Sequence, residues 1–307
     1  MKTVAIIGVG LMGGSLGIAL KQFNEKVKRQ QYKVVGIGRN LKTLKLAKDK
    51  KAVDSFSTNI NMVSSADIVF ICSPADTVVD IYIEVAKYVK KTTIVCDIGS
   101  IKFNICEQIK KIQKENKNYP CFIGCHPMAG IEQSGIEYAS GDIYNNATVV
   151  ITSDIHDKNV KIISRLWKDI GCKIKFMSAK EHDEIVAFTS HLPHIIAFSF
   201  YKMFKEKNSQ NKNIKNLIAG SFESITRVAK SSLKMWLPIF LNNKKNLKLL
   251  SKQLCKQIKE FVNCFDDEKK LKEVLYKSHR TWKRIVSKND KKKLKDILCK
   301  SVNNENK

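Results

Sequence analysis

The tightest constraint on what this 307-residue chain can fold into is a glycine spacing near its start. Gly8-Val9-Gly10-Leu11-Met12-Gly13 stands between an apolar run, Lys2–Ile7, and an amphipathic stretch, Met12–Phe23. A strand that turns sharply into a helix needs a residue free of Cβ at the turn. It needs a second where backbone must approach a ligand, and a third where helix and strand pack closely. Gly8, Gly10 and Gly13 meet those three needs in order. The first amide groups of the helix then form a ready site for a pyrophosphate. The spacing therefore predicts a βαβ unit that binds a dinucleotide through Gly8, Gly10, Leu11, Met12 and Gly13.

The rest of the first half continues the alternation. Lys33–Ile37, Ile68–Cys72, Thr93–Asp97, Cys121–Gly124, Ala147–Thr152 and Lys173–Met177 read as strands. The stretches around 43–50, 76–88, 102–114 and 157–169 read as helices. Alternating strands and helices predict a doubly wound, Rossmann-type parallel sheet. After Ser178 only helical periodicity remains, first through Ile185, Phe188, Leu192 and Ile196. Later helical stretches cover 217–229, 233–241, 247–265 and 269–285. The expected architecture is α/β, with a dinucleotide-binding domain over residues 1–178 and an all-helical substrate and dimerisation domain over 179–307. The charged segment 288–307 reads as a frayed tail.

Composition excludes more than it assigns. The net charge is +26, yet only six of the 55 basic residues are arginine, and the lysines are dispersed with many asparagines. No nucleic-acid recognition motif accompanies them, so a nucleic-acid partner is not expected. No apolar run reaches the ~20 residues that cross a bilayer, and no cleavage site follows the N-terminal apolar run. The nine cysteines are scattered without a CxxC pair. They read as reduced thiols of a cytoplasmic protein, and no metal is expected although Cys121 and Cys125 form a CxxxC beside His126.

At the end of the second strand, where an acidic residue would take the ribose of NAD, the chain reads Gly38-Arg39. Without a carboxylate, a 2′-phosphate is not repelled, and a guanidinium can clamp it. NADP is therefore the expected cofactor and NAD the alternative, with Lys42 and Thr43 as possible helpers.

Four further segments carry chemistry: Cys72-Ser73-Pro74, Asp97-Ile98-Gly99-Ser100-Ile101-Lys102, Gly124-Cys125-His126-Pro127-Met128-Ala129-Gly130, and Ser190-His191-Leu192-Pro193-His194. The first three follow strands at the sheet edge where open α/β folds bind ligands. With Thr226-Arg227-x-Ala229 and Met235-Trp236, they occur in an order that resembles the prephenate/arogenate dehydrogenase family over about residues 3–285. That resemblance implies oxidative decarboxylation of prephenate to 4-hydroxyphenylpyruvate in tyrosine biosynthesis, or of arogenate directly to tyrosine. It implies His126 as acceptor for the substrate hydroxyl proton, assisted by Ser100, and Arg227 as the group that binds a substrate carboxylate. It implies His191 and His194 in the substrate pocket, Ser73, Pro74 and Asp97 on the nicotinamide side, and a homodimer formed by the helical half. A neutral histidine suits proton acceptance because its ordinary pKa of ~6.5 lies near working pH.

The family commonly carries Thr or Ser at the position of Ile131, so side-chain recognition by Ile131 and Glu132 is expected to differ. Glu132 could pair with the amino group of arogenate, and in the family NADP often accompanies arogenate. Neither a regulatory ACT domain after residue 285 nor a chorismate mutase before the first strand is expected. The competing readings are a β-hydroxyacid dehydrogenase-like enzyme, which shares the domain order but depends on a lysine, and a dinucleotide-sensing protein without turnover.

Overall fold

A computed structural model describes residues 1–131 and 133–283. Glu132, Ile285 and the 288–307 tail lie outside the described residues. The chain divides into two compact units, residues 1–248 and 249–307.

The first unit is built on one eight-stranded sheet. Its strands are β1 (Lys2–Ile7), β2 (Tyr32–Ile37), β3 (Ser55–Ser57), β4 (Ile68–Ile71), β5 (Ile94–Asp97), β6 (Cys121–Met128), β7 (Thr148–Ile151) and β8 (Lys173–Phe176). They lie in the order β3-β2-β1-β4-β5-β6-β7-β8. The central strands are apolar almost without interruption because both faces are covered, as parallel sheets require. Along β1, Val4 and Ile6 enter one core with Leu16, Leu20, Phe70 and Trp167. Ala5 and Ile7 enter the opposite core with Val69, Ile71 and Tyr82.

The helices α1 (Leu11–Lys26), α2 (Leu41–Asp49), α3 (Val78–Ala86), α4 (Phe103–Glu115) and α5 (Lys158–Asp169) supply the flanking layers. The chain order reverses at β1 and β4, so the carboxyl ends of these two strands open the crevice in which such sheets bind ligands.

Two local expectations are corrected. The sixth strand does not stop at Gly124 but runs to Met128, so His126 lies within a strand rather than in a loop after one. Pairing with β5 ends at Asp97↔Gly124, and beyond it only β7 accompanies β6. Pro127, which has no N–H to donate, is tolerated on that half-open stretch. Strand β7 also runs antiparallel to β6. Among the described residues, the connection between them contains only 3-10 turns, Ile136–Tyr138 and Gly141–Tyr144, and an antiparallel return needs no crossover helix. Through α5 the chain then crosses to β8, which is parallel to β7.

Beyond β8 the first unit is helical: α6 (Ala179–Val186), α7 (Leu192–Gln210), α8 (Asn213–Asn216), α9 (Gly220–Thr226), α10 (Leu233–Asn242) and the start of α11 (Lys244–Val262). Trp236 and Ile239 of α10 belong to the core on the Ile7 side of the sheet. Between α6 and α7, residues Ala187–His191 form one wide π turn, in which the Leu192 N–H bonds the Ala187 carbonyl. Pro193 explains it: a proline near the start of α7 cannot continue an α-helical ladder, and the preceding turn widens instead.

In the second unit, residues 268–283 are helical. Its described surface is laced with pairs such as Lys256–Glu260 and Lys272–Glu268. Among the described residues, no helix is long and apolar enough to cross a membrane.

Candidate active site

The glycine turn has the geometry its spacing predicts. Gly8 has φ +94°, and a Cβ there would stand 2.7 Å from the Cys72 carbonyl oxygen. A Cβ on Gly13 would meet the Gly8 carbonyl oxygen at 2.1 Å, which is how closely α1 packs on the strand ends. A Cβ on Gly10 would meet nothing within 4 Å. Gly10 is the N-cap of α1, no side chain caps it, and the first turn carries no acidic residue. An uncapped helix N-terminus beside open space is what a pyrophosphate requires, so the residues fit the cofactor group. Leu11 and Met12 are half-buried in the same turn, while Ser73 and Pro74 follow β4 beside it. The Thr77 hydroxyl donates to Ser73 Oγ at 2.9 Å or to the Pro74 carbonyl at 2.8 Å. Arg39 is exposed at the end of β2, and Asn40 caps α2 by accepting from the Lys42 and Thr43 N–H groups.

The segment after β6 folds over the start of α1. The Tyr144 hydroxyl donates to the Met12 carbonyl at 2.8 Å, and a Cβ on Gly130 would lie 3.8 Å from Met12 Sδ. The His126 strand and the dinucleotide turn therefore converge at one edge of the sheet.

At His126 the structure adds partners that the sequence motifs did not single out. His126 Nδ1 lies 2.7 Å from His182 Nε2, and His182 Nδ1 lies 2.7 Å from Asp183 Oδ1. Asp183 also accepts the N–H groups of Lys102 (2.8 Å, Oδ1) and Phe103 (2.9 Å, Oδ2), so a carboxylate from α6 caps α4. Asn243 donates its amide to the Asp183 carbonyl at 2.8 Å and lies 3.2 Å from His191 Nδ1. His182, Asp183, His191 and Asn243 are all buried.

Asp97 and Lys102 form a fully buried ion pair. Asp97 also accepts from the Gly99 N–H (2.9 Å) and from the Cys125 N–H (3.4 Å), the amide just before His126. Burial raises the Asp97 carboxyl above its usual range, while Lys102 and these two amides oppose the rise. Asp97 is thus engaged inside the protein, where it holds the turn bearing half-buried Ser100. Burial, reinforced by the neighbouring His182, Lys102 and His191, holds His126 well below its ordinary pKa and therefore neutral. Burial likewise pushes His191 down to about 4, against the pull of Asp183.

The two helical histidines share a platform. His194 stacks on Trp236 with ring centres 3.5 Å apart, and His191 meets the same ring edge-on at 5.8 Å. His194 Nδ1 lies 2.9 Å from the Ser190 carbonyl, so it donates there and leaves Nε2 as an acceptor. Arg227 is exposed at the start of the turn Arg227–Lys230, and Ile131 is exposed after the β6 segment.

Residues 23–176 match the family model described as the prephenate dehydrogenase nucleotide-binding domain, and residues 178–281 match the prephenate dehydrogenase dimerization domain. The chain belongs to the prephenate dehydrogenase family. A cyclohexadienyl dehydrogenase of Zymomonas mobilis is 34% identical over 248 residues, covering 79% of this chain and 81% of that protein. A prephenate dehydrogenase of Lactococcus lactis is 27% identical over 288 residues, covering 90% and 78%. Among solved structures, the prephenate dehydrogenase of A. aeolicus in complex with hydroxyphenyl propionate and NAD+ superposes with a TM-score of 0.83. It is 30% identical, and the match covers 93% of this chain and 98% of that one. In this family setting, His182 and Asp183 were hidden from sequence reading because Glu181-His182-Asp183-Glu184 has the look of a solvated helix face.

Proposed function

We propose that this chain is an NAD(P)-dependent prephenate dehydrogenase, converting prephenate to 4-hydroxyphenylpyruvate and CO2 in the cytoplasm. The observation that carries the reading is His126, held neutral by burial within a family-matched fold, at the sheet edge where the glycine turn also lies. A dinucleotide held at that turn would supply the hydride acceptor for ring C4. His126 takes the proton from the C4 hydroxyl as that carbon is oxidised. As the C1–carboxylate bond breaks, its electron pair enters the ring, CO2 leaves, and the phenolic oxygen recovers a proton. Ser100, on the turn held by Asp97, hydrogen-bonds the same hydroxyl, and Arg227 binds a substrate carboxylate. His191 and His194, fixed against Trp236, bound the substrate pocket.

NADP is the proposed preference, supported by Arg39 following Gly38 where a ribose-binding carboxylate would otherwise stand. The second substrate reading is arogenate, favoured by Glu132 in the sequence, whose carboxylate would pair with the substrate amino group, and by the proposed use of NADP. A homodimer is supported by the exposed apolar side chains Phe188, Leu233, Leu237 and Leu241 of the helical region.

The test is an assay of the purified chain with prephenate or arogenate, each with NAD or NADP. The expected result is turnover of prephenate with NADP favoured, and a fall in kcat of at least about 100-fold in His126→Asn. A protein that binds dinucleotide yet turns over neither substrate would overturn the function. A strong preference for NAD would overturn the role given to Arg39.

A further inference from the structure

The hydrogen bonds around His126 take one direction when His182 is a neutral imidazole. Asp183 receives two backbone N–H groups, from Lys102 at 2.8 Å and Phe103 at 2.9 Å, one on each carboxylate oxygen. A carboxylate so placed acts purely as an acceptor. The bond at 2.7 Å to His182 must therefore be donated by the His182 Nδ1–H. In a neutral imidazole the other nitrogen then carries a lone pair, so His182 Nε2 is an acceptor. The group facing it at 2.7 Å is His126 Nδ1, which then carries the proton of that pair. His126 Nε2 is left as the bare nitrogen.

We propose that His182, anchored by Asp183, is a positioning residue that fixes the tautomer and ring orientation of His126, leaving Nε2 as the nitrogen that takes the substrate proton. The proposal rests on the reading of His126 as proton acceptor and adds which atom acts and what selects it. The anchor is itself held. Asn243 grips the Asp183 backbone carbonyl at 2.8 Å, and the Lys102–Asp97 pair reaches the Cys125 N–H that precedes His126. His182 is 1% exposed, so water does not compete for its two ring nitrogens. When His126 accepts a proton at Nε2, its Nδ1–H bond to His182 becomes charge-assisted, and the Asp183 carboxylate lies at the far end of the same chain of bonds. No proton need cross to His182 for this to stabilise the cation.

The test uses the full-length protein with nitrogen-15 in its histidine rings, read by NMR at neutral pH, with the His126 signals assigned by their loss in His126→Gln. The expected wild-type pattern is a protonated Nδ1 and a bare Nε2 on His126. His182→Leu removes the acceptor, and kcat is expected to fall about 100-fold or more with KM for the cyclohexadienyl substrate within about 3-fold. His182→Gln can return a carbonyl oxygen toward Nδ1, and it is expected to keep the Nδ1–H tautomer and kcat within about 10-fold of wild type. Both variants leave the Asp183 carboxylate of α6 in place as the cap of α4. Wild-type His126 protonated at Nε2 overturns the proposal, as does a His182→Leu enzyme with unchanged kcat. The expected tautomer in a protein without turnover of either substrate supports the His182 assignment and counts against the function proposed above.

Discussion

Single atoms decide most of what the site can do. Gly10 and Gly13 belong to the same turn, yet they respond differently to one added methyl group. At Gly13 a Cβ would collide with the Gly8 carbonyl oxygen, whereas at Gly10 it would enter open space. Gly13→Ala is expected to lower stability by about 1–3 kcal/mol, because backbone must move to admit the methyl group. Gly10→Ala is expected to leave the melting temperature unchanged while raising KM for the dinucleotide severalfold, since the methyl group occupies the approach to the helix N-terminus. Thermal melts and cofactor titrations of the two variants separate these effects. Equal destabilisation of both would show that Gly10 serves packing rather than binding. This turn was legible in the sequence because each glycine answers a separate steric demand at fixed spacing. The neutral state of His126 was not, since it depends on burial and on Lys102, His182 and His191, which long-range folding brings near.

At the level of elements, α6 does more than its short length implies. Ser178 caps it by accepting the Glu181 N–H at 3.1 Å, in the Ser-x-x-Glu arrangement typical of helix starts. The following turn presents His182 and Asp183, and α4 begins on the Asp183 carboxylate. Removing the cap in Ser178→Ala is expected to cost about 1 kcal/mol, or about 2 °C in Tm, with kcat retained within about 3-fold. A kcat loss far beyond the stability loss would mean that the cap also sets the His182 ring. The element boundaries before Ser178 follow the apolar runs closely because buried parallel strands announce themselves by composition. The direction of β7 and the extension of β6 through Pro127 could not be read that way, since an apolar run carries no sign of its pairing partner. The π turn at Ala187–His191 had a local cause, Pro193, but its effect is visible only where His191 and His194 meet Trp236.

For the molecule as a whole, apolar surface and charge point to different consequences. Leu233 is 73% exposed, Leu237 61% and Leu241 59%, although helical periodicity alone equally allowed these residues to be core. In the proposed homodimer they are covered, so sedimentation at micromolar concentration is expected to give twice the chain mass. Leu237→Lys combined with Leu241→Lys is expected to shift the protein toward monomer. A wild-type monomer at that concentration would remove the dimer reading. The +26 charge was legible from composition, and lysines such as Lys256, Lys272 and Lys277 show where such side chains stand, on exposed helix surface where water solvates them. Asp183 is the contrasting case. Its carboxylate starts one helix, hydrogen-bonds the histidine that faces His126, and has its backbone carbonyl gripped by a third segment. In evolutionary terms the surface can accept lysine after lysine under mutational pressure, while a change at Asp183 is met by selection on abundance and on turnover together. A lineage that alters Asp183 is expected to need a second change that rebuilds the start of α4 and, on the proposal above, the tautomer of His126.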